Sequence, residues 1–153
     1  MKSSIEFIAR ALLIHDAQVL LCQNVRHKYY FLPGGHIEFS ESATAALTRE
    51  MAEELGVRVL VGALAFASEE LYSSDRLHHE LNLVFHVALV SRSKAAKPPK
   101  LKSKEPKIAF EWFSLSQIQT IDLRPSTIRS WLSLYPPELS AQWQSGIVTS
   151  TEK

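Results

Sequence analysis

The sequence predicts one globular domain of the α/β class, in which a β-sheet is covered on at least one face. Its 153 residues suit a single domain that can bury a proper core. Apolar, β-rich runs alternate along the chain with two segments whose apolar residues recur at helical spacing. We find no internal repeat, and we therefore treat residues 1–153 as one domain.

The chain opens with two predicted antiparallel strands. Residues 5–14 and 19–22 are apolar and rich in β-forming residues, and residues 15–18 between them are typical of a hairpin connection. Residues 29–32 then lead into the PGG sequence at 33–35. This sequence is predicted to stop regular structure and to let the backbone come close to another group.

A helix is predicted over residues 42–55. Ser40 or Ser42 can cap its N-terminus through a side-chain oxygen, and Glu41 is favoured by the positive end of the helix dipole. Gly56 supplies the left-handed conformation with which many helices end.

Three more strands are predicted after this helix. Residues 57–67 are rich in β-forming residues, and residues 81–89 place every second apolar residue on one face. Residues 108–113 form a further β-rich run. These strands are expected to extend the sheet that the first hairpin begins.

A second helix is predicted to close the fold. Ser114 and Pro125 each have the character of a helix start. Helical spacing before a pair of prolines is shared by Ile128, Trp131, Leu132 and Tyr135. Residues 136–153 are rich in Ser and Thr, so we expect loose order there, apart from one anchoring contact by Trp143.

The composition argues against a membrane protein. Hydrophobic residues make up 46% and charged residues 22%, and no apolar run approaches the roughly eighteen residues of a membrane span. Glu6, Arg10 and Asp16 interrupt the N-terminal apolar stretch, which argues against a signal peptide. Cys22 is the only cysteine, so we expect it to be a buried apolar residue in a reducing, cytoplasmic setting.

Positive charge is concentrated in one segment, residues 92–107. The net charge of +1 argues against a dedicated nucleic-acid-binding protein. This segment nonetheless holds seven basic residues and one acid, Glu105, so it carries +6 while the rest of the chain carries −5. It contains two adjacent prolines and few apolar residues, and it is therefore predicted to be a mobile loop.

The predicted helix at 42–55 carries three glutamates on one arc. At about 100° per residue from Ala43, Glu53 falls near ~280°, Glu50 near ~340° and Glu54 near ~20°. The same arc holds or adjoins the apolar residues Ala46, Leu47, Met51 and Leu55. Glutamates that serve only solubility are expected to point the other way.

Sheltered carboxylates that lie close together repel one another, and they either take up protons or bind a cation. Ligands that are all oxygen favour a hard ion such as Mg²⁺, which keeps some waters and completes its shell with substrate phosphates. The arc therefore predicts a metal site that works on a phosphate compound.

The spacing around these glutamates resembles the Nudix box, G-x5-E-x7-R-E-U-x-E-E-x-G-U, where U is a bulky aliphatic residue. Residues 35–57 fill every fixed position of this motif, with Met51 at the first U. The preceding strands, the PGG sequence and the later EWF strand also resemble a Nudix domain, over about residues 5–135. The resemblance implies an α/β/α sandwich with a mixed β-sheet.

The resemblance also implies an enzyme, a pyrophosphohydrolase that uses Mg²⁺ or Mn²⁺ to cleave a nucleoside diphosphate linked to another group. The implied metal ligands are Gly35, through its carbonyl group, and Glu50, Glu53 and Glu54. Arg49 is implied to hold a glutamate in place, since residues four apart lie within reach on a helix. Glu41 is expected to be structural.

The general base stays open at this point. Some family members use a glutamate near the start of the last helix, but residues 123–127 read LRPST and contain no carboxylate. Glu50, Glu53, Glu105 and Glu80 are the alternatives.

Substrate contacts are predicted more coarsely. Arg26 and Lys28, with His27 between them, precede the PGG sequence and are candidates for phosphate binding. The aromatic residues at 29–31 are suited to stacking on a base, although packing in the core is favoured. His78 and His79 are expected to face solvent rather than to join the site.

Two function classes compete with hydrolysis of a nucleoside triphosphate or an ADP-ribose-like nucleotide. A prenyl diphosphate isomerase occurs on the same fold, but Cys22 stands in the wrong place for its chemistry. A nucleotide- or RNA-binding module without turnover is the other alternative, although such modules often lose the box glutamates. We expect the protein to bind a small-molecule nucleotide and to associate with neither a membrane nor a dedicated nucleic-acid partner. The resemblance also implies that the protein forms a homodimer.

Overall fold

The computed structural model describes residues 4–91 and 97–134, together with the backbone of residues 142–145. The strands are β1 (Ile5–His15), β2 (Gln18–Asn24), β3 (Tyr30–Phe31), β4 (Gly34–His36), β5 (Val59–Ser73), β6 (Leu77–Leu89), β7 (Ile108–Ser114) and β8 (Gln142–Ser145). The helices are α1 (Ala43–Leu55), a 3₁₀ helix (Leu115–Thr120) and α2 (Ser126–Leu132). In the described ranges, no helix has the length and apolar character of a membrane span.

The strands form a mixed sheet with β1 at its centre. Strand β1 runs parallel to β6 and antiparallel to β4, and β6 continues to β5 and then to β8. Strand β2 leaves β1 through a short antiparallel hairpin and pairs instead with β3 and β7. The hairpin turn consists of Asp16 and Ala17, whose φ angles of 45° and 58° suit the tight turns that join twisted strands.

The sheet is covered on both faces, which confirms the predicted α/β/α arrangement. On one face, α1 packs through Leu47 and Met51 against Ala9 and Ala11 of β1. On the other face, α2 and the 3₁₀ helix cover a second apolar cluster in which the ring of Trp131 stacks on Phe66 at 4.6 Å. Burial of two such clusters is the main stabilising contribution to a domain of this size.

Helix α1 follows its predicted boundaries closely. Ser42 is the N-terminal cap, and its hydroxyl accepts a hydrogen bond from the Ala45 N–H at 3.1 Å. Gly56 ends the helix with a φ of 66°, and its N–H donates to the Ala52 carbonyl group at 2.9 Å. Ser114 likewise begins a helix, but this helix is of the 3₁₀ type.

The prediction that PGG stops regular structure was wrong for its glycines. Gly34 and Gly35 belong to β4 and pair with Arg10 and Ala9 of β1. A side chain on Gly34 would overlap the Ala9 carbonyl group, and its φ is 137°. Glycine therefore serves here to bring two strands close together rather than to interrupt them.

Strand β5 is longer than predicted, since it continues past residue 67 to Ser73 through a polar stretch. Within the expected loosely ordered tail, residues 142–145 form β8 along β5, and the remaining residues from 136 to 153 lie outside the described residues. Helix α2 ends at Leu132, before the predicted Tyr135, which also lies outside them.

The basic segment has no helix or strand in its described part, residues 97–107, whereas Arg92 and Lys94 lie outside the described residues. Several contacts attach the described part to the fold. Trp112 donates its indole N–H to the Pro99 carbonyl group at 2.9 Å, and Leu101 packs against the cluster beneath α1. The Lys104 N–H donates to the Glu54 carbonyl group at 2.7 Å. The sequence pattern did not reveal this attachment to the end of α1, and the predicted mobility of the loop stays a prediction.

Candidate active site

The three box glutamates lie along α1 at the edge of its buried face, as predicted. The three side chains are buried to different extents. The side chain of Glu50 is 16% exposed, and that of Glu53 is 56% exposed. Glu54 is partly buried, and its Oε2 atom is fully enclosed. The predicted arc is thus present, but two of its carboxylates are sheltered and the third faces solvent.

Gly35 lies directly against Glu50. A Cβ atom at Gly35 would overlap the carboxylate of Glu50, so the absence of a side chain is what lets that carboxylate approach the β4 backbone. Strand β4 in turn is fixed by its pairing with Ala9. The structure therefore brings Gly35 and Glu50 together, as a shared metal site requires.

Arg49 connects the carboxylates to the segment that enters α1. Its Nε and NH2 atoms donate to the two oxygens of Glu41 at 2.8 and 3.0 Å. Its NH1 atom donates to Glu50 at 2.9 Å and to Glu53 at 3.3 Å, and NH2 also donates to the His36 carbonyl group at 3.1 Å. The predicted bond four residues along the helix is present, but the two-pronged bond to Glu41 is the stronger one.

The electrostatics of this network fit a structural role for Glu41. The Arg49 guanidinium, followed by the Glu38 N–H, lowers the pKa of Glu41 to about 2. The same bond from Glu41 raises the pKa of Arg49 above its ordinary value. Glu41 thus acts as the counter-ion of Arg49, and it leaves the remaining box glutamates available.

Glu54 is the least satisfied group of the site. Burial, and then the neighbouring charges of Glu50 and Glu105, raise its pKa to about 8. Its buried Oε2 atom has no hydrogen-bond partner. Because an unpaired buried carboxylate is costly, this oxygen fits a position beside a bound cation.

The residues present therefore fit a hard divalent cation. They supply the oxygens of Glu50, Glu53 and Glu54 and the backbone of Gly35, without nitrogen or sulfur, as Mg²⁺ and Mn²⁺ prefer. Two observations support a cation at this place. The Glu54 Oε2 atom has no hydrogen-bond partner, and the Glu50 carboxylate lies directly against the backbone of Gly35.

A second group of ligand-type side chains lies on the other face of the sheet. Ligand atoms of Glu6, His78 and Glu80 are all within 4.8 Å of one another. Glu6 is already bonded by His36 at 3.0 Å, His78 at 3.1 Å and Arg76 at 2.9 Å. Its charge is balanced by these side chains, in contrast to the buried Oε2 atom of Glu54 on α1, which has no partner.

A cavity of about 690 Å³ opens between β3, β5, β6 and the segment that precedes α2. Among the residues that line it are Arg10, Tyr29, Phe31, Glu70, Glu80 and Arg124. The charge of Glu54 acts on the Arg10 guanidinium, as does that of Glu80, so Arg10 lies within electrostatic range of both the α1 carboxylates and the cavity. The cavity is large enough for a nucleoside.

The predicted phosphate-binding pair lies elsewhere. Arg26 lines a shallower depression with Pro106 and Lys107, and Lys28 is an exposed turn residue with a φ of 61°. Neither lines the 690 Å³ cavity. Both belong to the turn between β2 and β3, which the hydrogen bond from the Lys28 N–H to the Asn24 carbonyl group closes at 2.8 Å.

The aromatic residues divide between the two predicted roles. Tyr30 packs against the core, as favoured, but Tyr29 and Phe31 line the cavity. The guanidinium of Arg124 lies over the Tyr29 ring at 4.5 Å. The same guanidinium donates two hydrogen bonds, of 2.8 and 3.0 Å, to the Asp122 carboxylate. The prediction for His78 was wrong, since its side chain is only 14% exposed and bonded to Glu6.

Sequence reasoning missed Arg10, Glu70 and Glu80 as a group. The available signal was a charged residue inside each of three otherwise β-rich runs, which is unusual for strands covered on both faces. Only the pairing of β1, β5 and β6 shows that these charges share one cavity.

The mixed sheet between helix layers, with a carboxylate-bearing helix packed on one face, is a Nudix-type α/β/α fold. The NUDIX domain family model matches residues 7–134, and the chain belongs to this family. It is a pyrophosphohydrolase of that family, as the box predicted.

Solved structures agree on the fold. A MutT protein from Methanosarcina mazei Go1 is 19% identical with a TM-score of 0.66, covering 87% of this chain and 94% of its own. A NUDIX hydrolase from Nitrosomonas europaea is 22% identical with a TM-score of 0.66, covering 83% and 85%. An ADP-ribose pyrophosphatase from Streptococcus suis 89-1591 is 15% identical with a TM-score of 0.58, covering 92% and 98%. Among curated protein sequences, none matched.

Proposed function

We propose that the protein hydrolyses a diphosphate bond in a nucleoside diphosphate linked to another group, either a nucleoside triphosphate or an ADP-ribose-like nucleotide. The observation that carries this proposal is the unpartnered, buried Oε2 atom of Glu54 beside Glu50 on the box helix. A buried carboxyl group without a partner is costly, and a bound cation is one way in which this cost is offset. The similarity to an ADP-ribose pyrophosphatase adds support for the second substrate type.

Mg²⁺ or Mn²⁺ would be held by Glu50, Glu53, Glu54 and the Gly35 carbonyl group. When bound, such an ion neutralises charge on the diphosphate and polarises a phosphoryl oxygen. The role of the protein is to hold the carboxylates in one place. Arg49 does this for Glu50 and Glu53, because its guanidinium bonds both and is itself fixed by Glu41.

A proton must leave the attacking water, and we propose Glu105 as its acceptor. The segment that carries Glu105 is attached to the end of α1 by the bond from the Lys104 N–H to the Glu54 carbonyl group at 2.7 Å. The charge of Glu105 acts on Glu54, so the two carboxylates lie within electrostatic range of one another. Glu80 is less suited, since it lines the cavity on the other face and accepts the Tyr72 hydroxyl at 2.6 Å.

The nucleoside part of the substrate would occupy the 690 Å³ cavity, with its diphosphate directed toward α1. Arg10 supports this placement, because it lines the cavity and is within electrostatic range of Glu54. The Arg10 guanidinium is suited to bind a diphosphate that extends from the cavity toward the carboxylates of α1.

The test is turnover of the purified protein with Mg²⁺ or Mn²⁺ against nucleoside triphosphates, ADP-ribose, sugar nucleotides, dinucleoside polyphosphates and capped RNA. Glu53→Gln and Glu54→Gln are expected to lower kcat by about two orders of magnitude or more while the fold is kept. Glu111→Gln, which removes an equal charge from an exposed position on β7, is the matched control. Near-normal rates in both box variants would rule out the site.

Binding without turnover by the wild-type protein would favour the nucleotide- or RNA-binding alternative. A steep loss of RNA affinity with added salt would identify that case, since counterion release dominates binding to RNA phosphates.

We further propose a reducing, cytoplasmic setting, which the single and fully buried Cys22 supports. The homodimer implied by the family resemblance also stays a prediction, and light scattering coupled to size exclusion tests it.

A further inference from the structure

Buried polar side chains lie beside the cavity, and one of them, Glu70, lines it. Among the residues that the structure describes, the polar side chains counted as buried are Ser68, Glu70 and Asn82. Ser68 pairs with Asn82 across β5 and β6, and Glu70 lies two residues along on the same face. The Asn82 amide nitrogen has no partner within the protein. Of these three residues, Glu70 lines the cavity and accepts a hydrogen bond from the Thr127 hydroxyl, and Asn82 is bonded to Arg10, which also lines it. Because buried polar groups cost stability, this polar surface favours a polar ligand in the cavity.

Arg10 supplies hydrogen-bond donors to this cavity. Its Nε atom donates to the Asn82 side-chain oxygen at 3.2 Å, and NH1 donates to the Leu32 carbonyl group at 3.2 Å. Since a guanidinium has five N–H groups, about three remain for a ligand. These two bonds, one to Asn82 of β6 and one to Leu32 between β3 and β4, fix the orientation of the guanidinium, so its remaining donors have a defined direction.

Glu80 supplies acceptors at the same cavity. Its Oε1 atom accepts the Tyr72 hydroxyl at 2.6 Å, and a carboxylate retains further lone pairs for other donors. Glu80 and Arg10 line the same cavity, and the side-chain hydrogen bonds of Arg10 go to Asn82 and Leu32. Donors and acceptors are therefore presented side by side, and both are open to a ligand.

The cavity also has surfaces for a flat ring. The Phe31 and Tyr29 rings lie 5.9 Å apart, and the Arg10 guanidinium lies 5.4 Å from the Phe31 ring centre. The Arg124 guanidinium covers Tyr29 and extends this surface. Aromatic rings and guanidinium planes are the groups on which proteins stack single bases.

We propose that this cavity selects a guanine base, with Arg10 donating to its carbonyl edge and Glu80 accepting from its N–H groups. Guanine presents the O6 and N7 acceptors, which suit an arginine fork, next to the N1–H and 2-amino donors, which suit a carboxylate. Adenine and cytosine lack a ring N–H beside the carbonyl position, and uracil lacks the amino group. The inference rests on the proposed function and narrows its substrate to guanine nucleotides.

The test is equilibrium binding of GMP, AMP, CMP and UMP by titration calorimetry, with EDTA present so that the α1 site is left out of the measurement. GMP is expected to bind at least about tenfold more tightly than the other three. Glu80→Gln keeps the shape but replaces an acceptor by an amide donor, and it is expected to abolish the preference. Glu111→Gln is the charge-matched control and is expected to keep it. Thermal unfolding of both variants checks that the fold is intact.

Measurements on the wild-type protein are enough to overturn the inference. It fails if the four nucleotides bind equally, if none binds, or if another base is preferred. A guanine preference that survives in folded Glu80→Gln would overturn the role of Glu80. Metal-dependent turnover without a guanine preference would refute only this inference. A guanine preference in a protein that cleaves no nucleotide would instead refute the proposed function and leave the binding site in place.

Discussion

Replacing Glu54 with glutamine is expected to stabilise the metal-free protein at alkaline pH, although the same change removes a proposed metal ligand. The reason is that Glu54 is buried beside Glu50 and has an oxygen without a partner. Folding of the metal-free protein must therefore bury a charge that nothing in the protein balances. Glutamine has nearly the same shape and no charge, so it removes this cost.

The size of the effect follows from the pKa of Glu54. Its ordinary pKa is 4.5, and the folded protein raises it to about 8. A pKa difference of one corresponds to about 1.4 kcal/mol, so the free energy of unfolding would change by at most about 5 kcal/mol. Partial access of solvent to the carboxylate screens this interaction and reduces the expected gain to about 2 kcal/mol.

The gain must also depend on pH in a defined direction. Below about pH 4.5 the carboxyl group is protonated in both the folded and the unfolded chain, so glutamine brings no advantage. As the pH rises from 4.5 toward 8, the unfolded chain has lost this proton while the folded chain retains it, and the wild-type protein loses stability. The full difference between the proteins is present above about pH 8.

Urea unfolding with EDTA at pH 5, 7 and 9 measures this difference. With an m value of about 2 kcal/mol/M, the midpoint for Glu54→Gln should move up by about 1 M at pH 9 and by much less at pH 5. Glu53→Gln is the matched control, because its side chain is 56% exposed and should change the midpoint little. A midpoint for Glu54→Gln that stays below that of the wild type at pH 9 would refute the reasoning.

Three further substitutions test other parts of the site. Gly35→Ala is expected to lower metal-dependent kcat at least about tenfold with little change in stability, because the new Cβ displaces Glu50 and the backbone there needs no positive φ. Gly56→Ala is the comparison, since it places alanine at a φ of 66° and should cost about 1 kcal/mol in thermal unfolding without a similar loss of kcat. Arg49→Lys is expected to cost about 1–3 kcal/mol and to raise the metal concentration needed for turnover, because lysine cannot make the two-pronged bond to Glu41.

The parts that could be predicted are those whose information is local. Helix α1 carries its own cap at Ser42, its own stop at Gly56 and a regular apolar face, so its boundaries and its carboxylate arc could be read directly. The first hairpin and β7 could be predicted for the same reason, since a β-rich run between polar residues is enough to indicate a strand.

The errors lie where tertiary contacts override local preference. Glycines usually interrupt strands, but Gly34 and Gly35 are drawn into β4 because β1 offers them a pairing edge. Residues 97–107 have little apolar content of their own, Leu101 apart, and further attachment comes from Trp112 and from the end of α1. Neither partner is close enough in sequence for a local pattern to reveal the contact.

The two halves of the candidate site differ in the same way. The carboxylates lie within one turn and a half of a single helix, so the spacing of the box preserves them together. The residues of the cavity come from β1, β3, β5, β6 and the segment before α2, and no spacing relates them. The proposed chemistry at the diphosphate thus depends on a compact motif, whereas the proposed recognition of the nucleoside depends on residues spread over the sheet. This separation allows members of one family to share a reaction and to differ in substrate, and it is why the guanine proposal depends on Arg10 and Glu80 rather than on the box.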